Sequence, residues 1–356
     1  MPEYRLLAGG KLIAQPSRRV GNNLDPEPIH QIMYSFAPSR VLFTGVRLGV
    51  FSHIASGKHT AGEIAKEAKA SERGVRMVLD ALVACELLGK KQIGKTWRYQ
   101  LTPRAAKFLV RNSPDYLGNM IEQDTMWDSW HHLPEAVRTG RPFHRVDHPQ
   151  RNTRFFTNLV RSLHAISREP ARRAARALGA GTSHKGMRVL DLACGSGVWG
   201  IAIAEADSQA RITAQDFPAI LGETRKFARA HGVEGRYDYL PGDLTRTKLG
   251  SEQYDLVLLG HILHIQGERA SRLLFRRLHA ALRAGGRIVI AEMIPNDRRT
   301  GPPFPLFFAL NMLLNTAVGD TYTMAEFRTW LQEAGFVRVK SVDIRTHSPL
   351  IVASKR

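Results

Sequence analysis

Val189-Leu190-Asp191-Leu192-Ala193-Cys194-Gly195-Ser196-Gly197-Val198-Trp199-Gly200 is the stretch whose reading decides the fold. Val189, Leu190 and Leu192, with Asp191 among them, read as a buried strand. Gly195, Gly197 and Gly200 then turn the chain into a helix through Ile201–Ala206. A turn without side chains lets backbone N–H groups and a helix N-terminus approach a ligand closely. The spacing is G-x-G-x-x-G, a form shared with nicotinamide-dinucleotide folds. Asp191 separates the two readings. A carboxylate ahead of the first glycine can take the ammonium of an amino-acid group, which those dinucleotides do not have.

From Arg188 onward strands and helices alternate, the pattern of a parallel α/β sheet. The apolar strand candidates are Val189–Ala193, Arg211–Gln215, Tyr237–Leu240, Leu256–Leu259, Arg287–Ala291, Val337–Val342 and Leu350–Ala353, the last two forming a closing hairpin. Ligands in such sheets sit outside the C-terminal strand ends. Asp216 ends the second strand, where its carboxylate suits both hydroxyls of a ribose or, alternatively, a turn before Pro218. Asp243 ends the third and suits an adenine amino group, with Leu244 packing on the ring. Three acids at successive strand ends point to an adenosyl site.

The fourth strand runs into Gly260-His261-Ile262-Leu263-His264 and the fifth ends at Glu292. His264 and Glu292 therefore fall at neighbouring strand ends, where a carboxylate can fix an imidazole tautomer. A neutral imidazole near pH 7 is suited to general-base work. His261 and His264 would share a face if the turn between them were helical, which is also metal-ligand spacing.

The chain of 356 residues is 43% hydrophobic, enough for two domains. Cys85 and Cys194 alone offer no disulfide framework, which fits a reducing cytosol, and no signal-peptide pattern opens the sequence. The most apolar window, Phe304–Val318, is interrupted by Pro305, Asn311 and Asn315 and does not read as a membrane span. The expected location is cytoplasmic. The net charge of +19 comes from 51 basic residues, mostly arginine, spread along the chain. Without a basic block interleaved with aromatics, this reads as a solvated surface rather than a nucleic-acid footprint.

Residues 1–24 read as a basic N-terminal arm and residues 25–110 as a winged helix. Thr60-Ala61-Gly62-Glu63 is a capping box, and Ser71 caps a second helix with Val75, Val78, Leu79, Leu82 and Val83 in helical register. Gln92–Leu101 reads as a hairpin turning at Gly94-Lys95. The second helix carries Glu72, Asp80 and Glu86 beside Arg73 and Arg76, which favours a dimerisation module over a DNA reader. Residues 111–180 read as linking helices: one long stretch Asp115–Thr139, then Phe155–Leu178 with a break near Pro170. Residues 181–356 are expected to form the cofactor-binding catalytic domain. The acceptor pocket is expected among Trp127, Trp130, Phe155, Phe156 and the helix Leu306–Leu314, with Asn311 and His261 as its polar groups. Such a lining suits a flat aromatic acceptor.

On these residues the chain resembles the class I S-adenosylmethionine-dependent small-molecule O-methyltransferases of the caffeic acid and hydroxyneurosporene type, from about Asp25 to the end. The segment Asp191–Gly200, "D-F-P" at Asp216–Pro218, "G-D" at Gly242-Asp243, "L-H" at Leu263-His264, "A-E-x-I-P" at Ala291–Pro295 and "Y-T-x-x-E-F" at Tyr322–Phe327 match in order. The resemblance implies a Rossmann-like α/β sheet, mostly parallel with a C-terminal antiparallel hairpin, after a winged-helix dimerisation domain. It implies S-adenosyl-L-methionine held by Asp191, Gly195, Gly197, Asp216, Phe217, Asp243, Leu244 and Gly260, and by Ser167, which aligns with a residue that meets the methionine carboxylate. It puts the base on His264 and an orienting carboxylate on Glu292. It also implies a homodimer, a small hydrophobic acceptor, no metal, no membrane and no nucleic acid. Three positions depart from the plant enzymes: Ile265 replaces an aspartate, Gly260 a lysine, and Thr321 a second orienting glutamate, for which Asp320 is a neighbouring substitute. Methylation of carbon or nitrogen, a non-methylating member of the fold, a metal-assisted enzyme using His261 and His264, and a winged-helix regulator with a cofactor-sensing pocket are the alternatives.

Overall fold

The computed structural model describes residues 25–122, 125–145, 153–346 and 348–356; the basic arm read at 1–24 lies outside them. Seven short elements come first: α1 (Glu27–Tyr34), α2 (Phe36–Arg47), α3 (Val50–Ala55), α4 (Ala61–Ala68), α5 (Glu72–Ala84), β1 (Leu88–Ile93) and β2 (Thr96–Leu101). Their boundaries follow from local chemistry. Thr60 Oγ1 accepts from the Glu63 N–H and the Glu63 carboxylate accepts from the Thr60 N–H, closing the box that starts α4. Ser71 Oγ accepts from the Gly74 N–H to start α5. Ile93 pairs with Thr96, so Gly94-Lys95 is a two-residue turn, as the sequence predicts. The first strand starts at Leu88, ahead of the expected Gln92, because the polar run Lys90-Lys91-Gln92 hid its pairing with Tyr99 and Arg98. Helix, helix and hairpin close on a core of Val46, Phe51, Leu79, Leu82 and Tyr99.

Next come α6 (Pro103–Phe108), α7 (Gly118–Glu122), α8 (Thr125–His131), α9 (Leu133–Thr139) and α10 (Thr153–Ala177). Two expectations are corrected here. The single helix expected over Asp115–Thr139 is three, and Pro134 shows why at the last joint. It lacks the N–H needed to continue α8 but is well suited to the first turn of α9. The break expected near Pro170 is absent, and α10 runs through it. The carbonyl that loses its ladder donor belongs to Ile166, a residue 47% exposed, so that loss falls on the solvent side of the helix.

The remaining elements are β3 (Arg188–Leu192), α11 (Val198–Ala206), β4 (Arg211–Asp216), α12 (Pro218–Ala230), β5 (Tyr237–Pro241), β6 (Tyr254–Gly260), α13 (Leu263–Ala281), β7 (Leu282–Ala291), α14 (Pro303–Asn315), α15 (Met324–Glu333), β8 (Val337–Val342) and β9 (Leu350–Ser354). All seven expected strands are present, in the sheet order β5-β4-β3-β6-β7-β9-β8. β3 to β7 are parallel, β9 runs antiparallel to β7, and β8 antiparallel to β9. The chain moves outward from β3 to β5 and then returns to pair β6 with β3. This reversal opens a crevice at the strand ends between β3 and β6, where doubly wound sheets bind ligands. No helix among the described residues is long and apolar enough to cross a membrane.

Asp80 on α5 gathers the charges nearest the hairpin. Its Oδ1 accepts from Tyr99 Oη at 2.7 Å and Lys90 Nζ at 2.6 Å, and its Oδ2 from Arg76 at 3.1 Å. Arg76, one of two bases available to a DNA-reading helix, is thus engaged within the fold. Burial would raise the Asp80 pKa, but Lys90, Tyr99 and Arg76 outweigh it and hold the carboxyl below its ordinary value. A depressed folded pKa means that the stabilisation is present above the unfolded value and is lost as pH falls through the folded one. Asp80→Ala should lower unfolding free energy by about 2 kcal/mol at pH 7, because it leaves the buried Tyr99 O–H without its acceptor. Asp80→Asn, which keeps an acceptor for Tyr99, should cost about half as much in urea unfolding.

Candidate active site

The rim of the crevice is built from strand ends. Asp191, on β3, is only 1% exposed; its Oδ2 accepts from the Gly200 N–H at 2.9 Å, and its buried Oδ1 has no partner. The turn beyond it has Gly195 at φ +55° and Gly197 at +72°. A Cβ on Gly197 would come 2.8 Å from Thr224 Cγ2, so both conformation and space call for glycine there. Asp216, ending β4, accepts from the Gly195 N–H (2.9 Å) and from its neighbour Phe217 N–H (2.7 Å), which ties the second strand end to the glycine turn. Asp243, just beyond β5, accepts from Thr245 N–H and Oγ1 at 2.8 and 2.6 Å. Leu244 is buried in the core beside Leu190 and Leu192. Burial pushes the Asp191 carboxyl up to about 7, with the Gly200 N–H opposing and Asp216 adding to the shift. It pushes Asp216 up to about 6 against the Gly195 and Phe217 N–H groups.

These residues fit a nucleoside bearing an amino-acid group. The unpartnered Asp191 Oδ1 is an acceptor left over for an ammonium, the glycine turn brings bare backbone to the rim, and carboxylates follow at the next two strand ends.

At the β6 and β7 ends the structure brings His264 and Glu292 together. His264 Nδ1 lies 3.0 Å from Glu292 Oε2 and 3.2 Å from Oε1. Glu292, 3% exposed, also accepts from the N–H groups of Leu263 (2.8 Å), His264 (3.3 Å) and Met293 (3.4 Å). Burial would raise its pKa, but His264, His261 and the Leu263 N–H together hold it below the ordinary value. Nδ1–H therefore donates to the carboxylate, and Nε2 is left as the basic nitrogen. His264 sits in a single helical turn that ends at Gly267 (φ 73°, ψ 162°), where α13 changes direction. Phe308 of α14 stands edge-on to its ring at 5.0 Å.

His261 lies elsewhere than a shared helical face would put it. Its backbone is left-handed (φ +58°) and Leu263 is the first helical residue, so the face expected with His264 does not form. No group of three or more His, Cys, Asp or Glu among the described residues is placed to hold a metal ion. The His261 Nδ1 is buried without a partner, and burial lowers its pKa against the pull of Glu292. Asp320 reaches His264 through its backbone, with its N–H on the His264 carbonyl at 2.9 Å. Its carboxylate faces Arg299 at 3.7 Å and the Thr321 N–H at 2.7 Å.

The expected pocket residues divide. Asn311 accepts from Asn315 Nδ2 at 3.1 Å, and Asn315 Oδ1 accepts from Ser129 at 3.4 Å, which joins α14 to α8, the helix of half-buried Trp130. Phe156 packs edge-on against Phe155 at 5.3 Å. Trp127 instead turns to α2, under the Arg40 guanidinium (4.7 Å) and beside Phe43. Ser167 is buried on α10, one turn beyond His164. The sequence reading missed His164, whose Nδ1 is 3.0 Å from Ser196 Oγ in the glycine turn; it named the helix that carries Phe308 but not that ring. It also left Trp199 out, although Gly260 depends on it. The Trp199 indole is 7% exposed, and a Cβ on Gly260 would lie 2.3 Å from its Nε1.

A doubly wound sheet with an acid-lined switch point and a carboxylate-held histidine beside it defines an enzyme of the nucleoside-cofactor class. Residues 130–337 match the O-methyltransferase domain and residues 30–111 the O-methyltransferase dimerisation domain. The chain is 30% identical over 307 residues to 3-hydroxy-5-methyl-1-naphthoate 3-O-methyltransferase of Streptomyces sahachiroi, covering 85% of this chain and 87% of that protein. It is 28% identical over 340 residues to the tetracenomycin polyketide synthesis 8-O-methyl transferase of Streptomyces glaucescens, covering 93% and 97%. The structure of human N-acetylserotonin methyltransferase in complex with S-adenosylmethionine shares the fold, with a TM-score of 0.81 at 23% identity over 94% of this chain and 99% of that one. The chain belongs to the O-methyltransferase family and is an S-adenosylmethionine-dependent O-methyltransferase.

Gly260→Ala should lower the thermal midpoint, since overpacking a filled site costs about 1–3 kcal/mol. Shrinking the indole in a Gly260→Ala/Trp199→Leu double variant should recover part of that loss, with a coupling of about 0.5–3 kcal/mol. Strict additivity in the melting series would show that the two positions do not compete for one space.

Proposed function

We propose that the enzyme methylates a hydroxyl of a small, flat aromatic acceptor, with His264 as general base and Glu292 holding its tautomer. The observation that carries this is the His264 Nδ1–Glu292 bond, which leaves Nε2 as the proton-accepting nitrogen. Phe308, Phe156 and Trp130 support an apolar, aromatic-lined acceptor site. So do the names of the two Streptomyces relatives, one a naphthoate 3-O-methyltransferase and the other an 8-O-methyl transferase of tetracenomycin polyketide synthesis. S-adenosylmethionine supplies the sulfonium-bound methyl group. Asp191, Gly195 and Gly197 would hold its amino-acid end, Asp216 with Phe217 its ribose, and Asp243 with Leu244 its adenine. The protein's main task is then to align the hydroxyl and exclude water. Positioning contributes about 7–11 kcal/mol in such reactions, against about 3–5 kcal/mol for a general base.

We further propose the division into 25–110, 111–180 and 181–356, and a cytoplasmic homodimer. Ile29, Ile32, Met33 and Tyr34 of α1 and Phe36 of α2 are exposed, an apolar face larger than scattered surface residues give and within the dimerisation-domain match.

His264→Ala should lower kcat by about 10²–10⁴-fold while S-adenosylhomocysteine affinity, read by calorimetry, stays near wild type. An unchanged kcat would remove His264 from the reaction.

The raised carboxyls of Asp191 and Asp216 give a second test. A group with a raised folded pKa is partly protonated at pH 6, and a cationic ammonium beside it favours the ionised form, so binding should release protons. Binding enthalpies of S-adenosylhomocysteine at pH 6 should differ between phosphate and imidazole buffers, and less so in Asp191→Asn. Buffer-independent enthalpies in the wild type would argue against carboxylates at that ammonium.

A further inference from the structure

A run of polar groups separate from the His264–Glu292 pair, buried at Ser196 and His164 and reaching the surface at Glu205, links the glycine turn to three helices. His164 of α10, 4% exposed, places Nδ1 3.0 Å from Ser196 Oγ and Nε2 3.3 Å from His231 Nε2. His231, at the end of α12, places Nδ1 2.6 Å from Glu205 Oε1 of α11, and Glu205 Oε2 also accepts from Arg172 at 3.3 Å. Phe227 stacks on the His164 ring at 3.9 Å.

Hydrogen-bond chemistry gives this run a direction. Burial would raise the Glu205 pKa, but His231 and Arg172 hold it below the ordinary value, so it is an ionised acceptor. A neutral His231 must then carry its proton on Nδ1, which makes its Nε2 an acceptor. His164 must donate from Nε2, which makes its Nδ1 an acceptor and Ser196 Oγ–H the donor to it. The alternative, a charged His164, is disfavoured: burial first, then His231 and Arg168, lower its pKa to about 4 against Asp115 and Glu205. His164 is therefore neutral, and with a neutral His231 the two rings stand in opposite tautomers.

Ser196 is the one residue between Gly195 and Gly197, both at positive φ, and its hydroxyl is the only polar side chain within that turn. A turn of this kind has many accessible conformations, and ordering it opposes binding unless the protein has already done so. We propose that His164 is a positioning residue that pre-orders the cofactor turn by holding the Ser196 hydroxyl, with His231 and Glu205 fixing the tautomer this requires. The role rests on the reading of that turn as the cradle of the cofactor's amino-acid end.

Two measurements test it. In two-bond 1H–15N spectra of histidine-labelled protein without ligand, His164 should appear as the Nε2–H tautomer and His231 as the Nδ1–H tautomer. Like tautomers, or an imidazolium at neutral pH, would overturn the proposal. By calorimetry, Ser196→Ala and His164→Phe should each weaken S-adenosylhomocysteine binding about tenfold. His164→Asn, whose Oδ1 can still accept from Ser196, should recover most of it. The kcat at saturating cofactor and the acceptor KM should change less than about twofold. Ser196→Ala removes a single oxygen and keeps the test open if His164→Phe fails to fold. Asp216→Ala and Asp243→Ala separate the two levels. If they weaken binding and Ser196→Ala does not, the positioning role fails alone. If they too bind as wild type, the cofactor reading fails with it.

Discussion

The Glu292 carboxylate is the constraint on which the chemical end of the molecule depends. A buried carboxylate is costly to desolvate unless donors surround it, and removing one partner of such a set costs more than an exposed ion pair is worth. Glu292 has its donors because β7 delivers it to the point where the chain leaves β6 and enters α13. The Leu263 and His264 N–H groups belong to the first turn of that helix, where N–H groups have no partner within the helix. One side chain thus caps the turn and grips the imidazole carried by the same turn. Gly267 then lets α13 swing away after a single turn, so the segment bearing His264 and the long amphipathic helix follow separate directions.

The β3 and β4 end follows the opposite logic. Around Glu292 the donors outweigh desolvation, whereas Asp191 and Asp216 have too few donors and their carboxyls are pushed up. A carboxylate left under-supplied by its own protein is a place where a ligand's positive charge and hydroxyls gain most. The two ends of the crevice therefore differ in what they are missing. The β7 end is complete as folded and is suited to hold one geometry, while the β3 and β4 ends hold acceptor capacity in reserve.

Much of this was legible in the sequence because it depends on strand ends. Apolar runs located all seven strands, and once the strands are placed, the residues at and just beyond their C-terminal ends lie on the rim. That is why Asp191, Asp216, Asp243, His264 and Glu292 could be named from spacing alone. What could not be read depends on contacts between distant segments. His164 and Ser196 are separated by the linker and β3, and nothing in either local pattern announces the other. Pro170 signalled a break by its own chemistry, but the exposed flank of α10 absorbed the missing bond. The His261/His264 spacing suggested a shared face, and the left-handed backbone at His261 removed it; that conformation is rare for a residue with a Cβ and has no reliable local signal.

The positions that depart from the plant enzymes each have a physical role in this fold. Ile265 follows His264 within the single turn before Gly267, where Glu292 already supplies the acceptors the turn needs. Thr321 turns inward, its hydroxyl donating to the Pro305 carbonyl, and so joins α14 to the segment after it. The adjacent Asp320 holds the His264 main chain through its N–H, while its carboxylate is taken up by Arg299. Orientation of the ring is therefore concentrated in one carboxylate, with the backbone of residue 320 as a second fixed point. At Gly260 the exchange runs through volume: with no side chain there, the Trp199 indole closes the space from the neighbouring helix. The indole is buried in the core, so the missing side chain at Gly260 is taken up by packing.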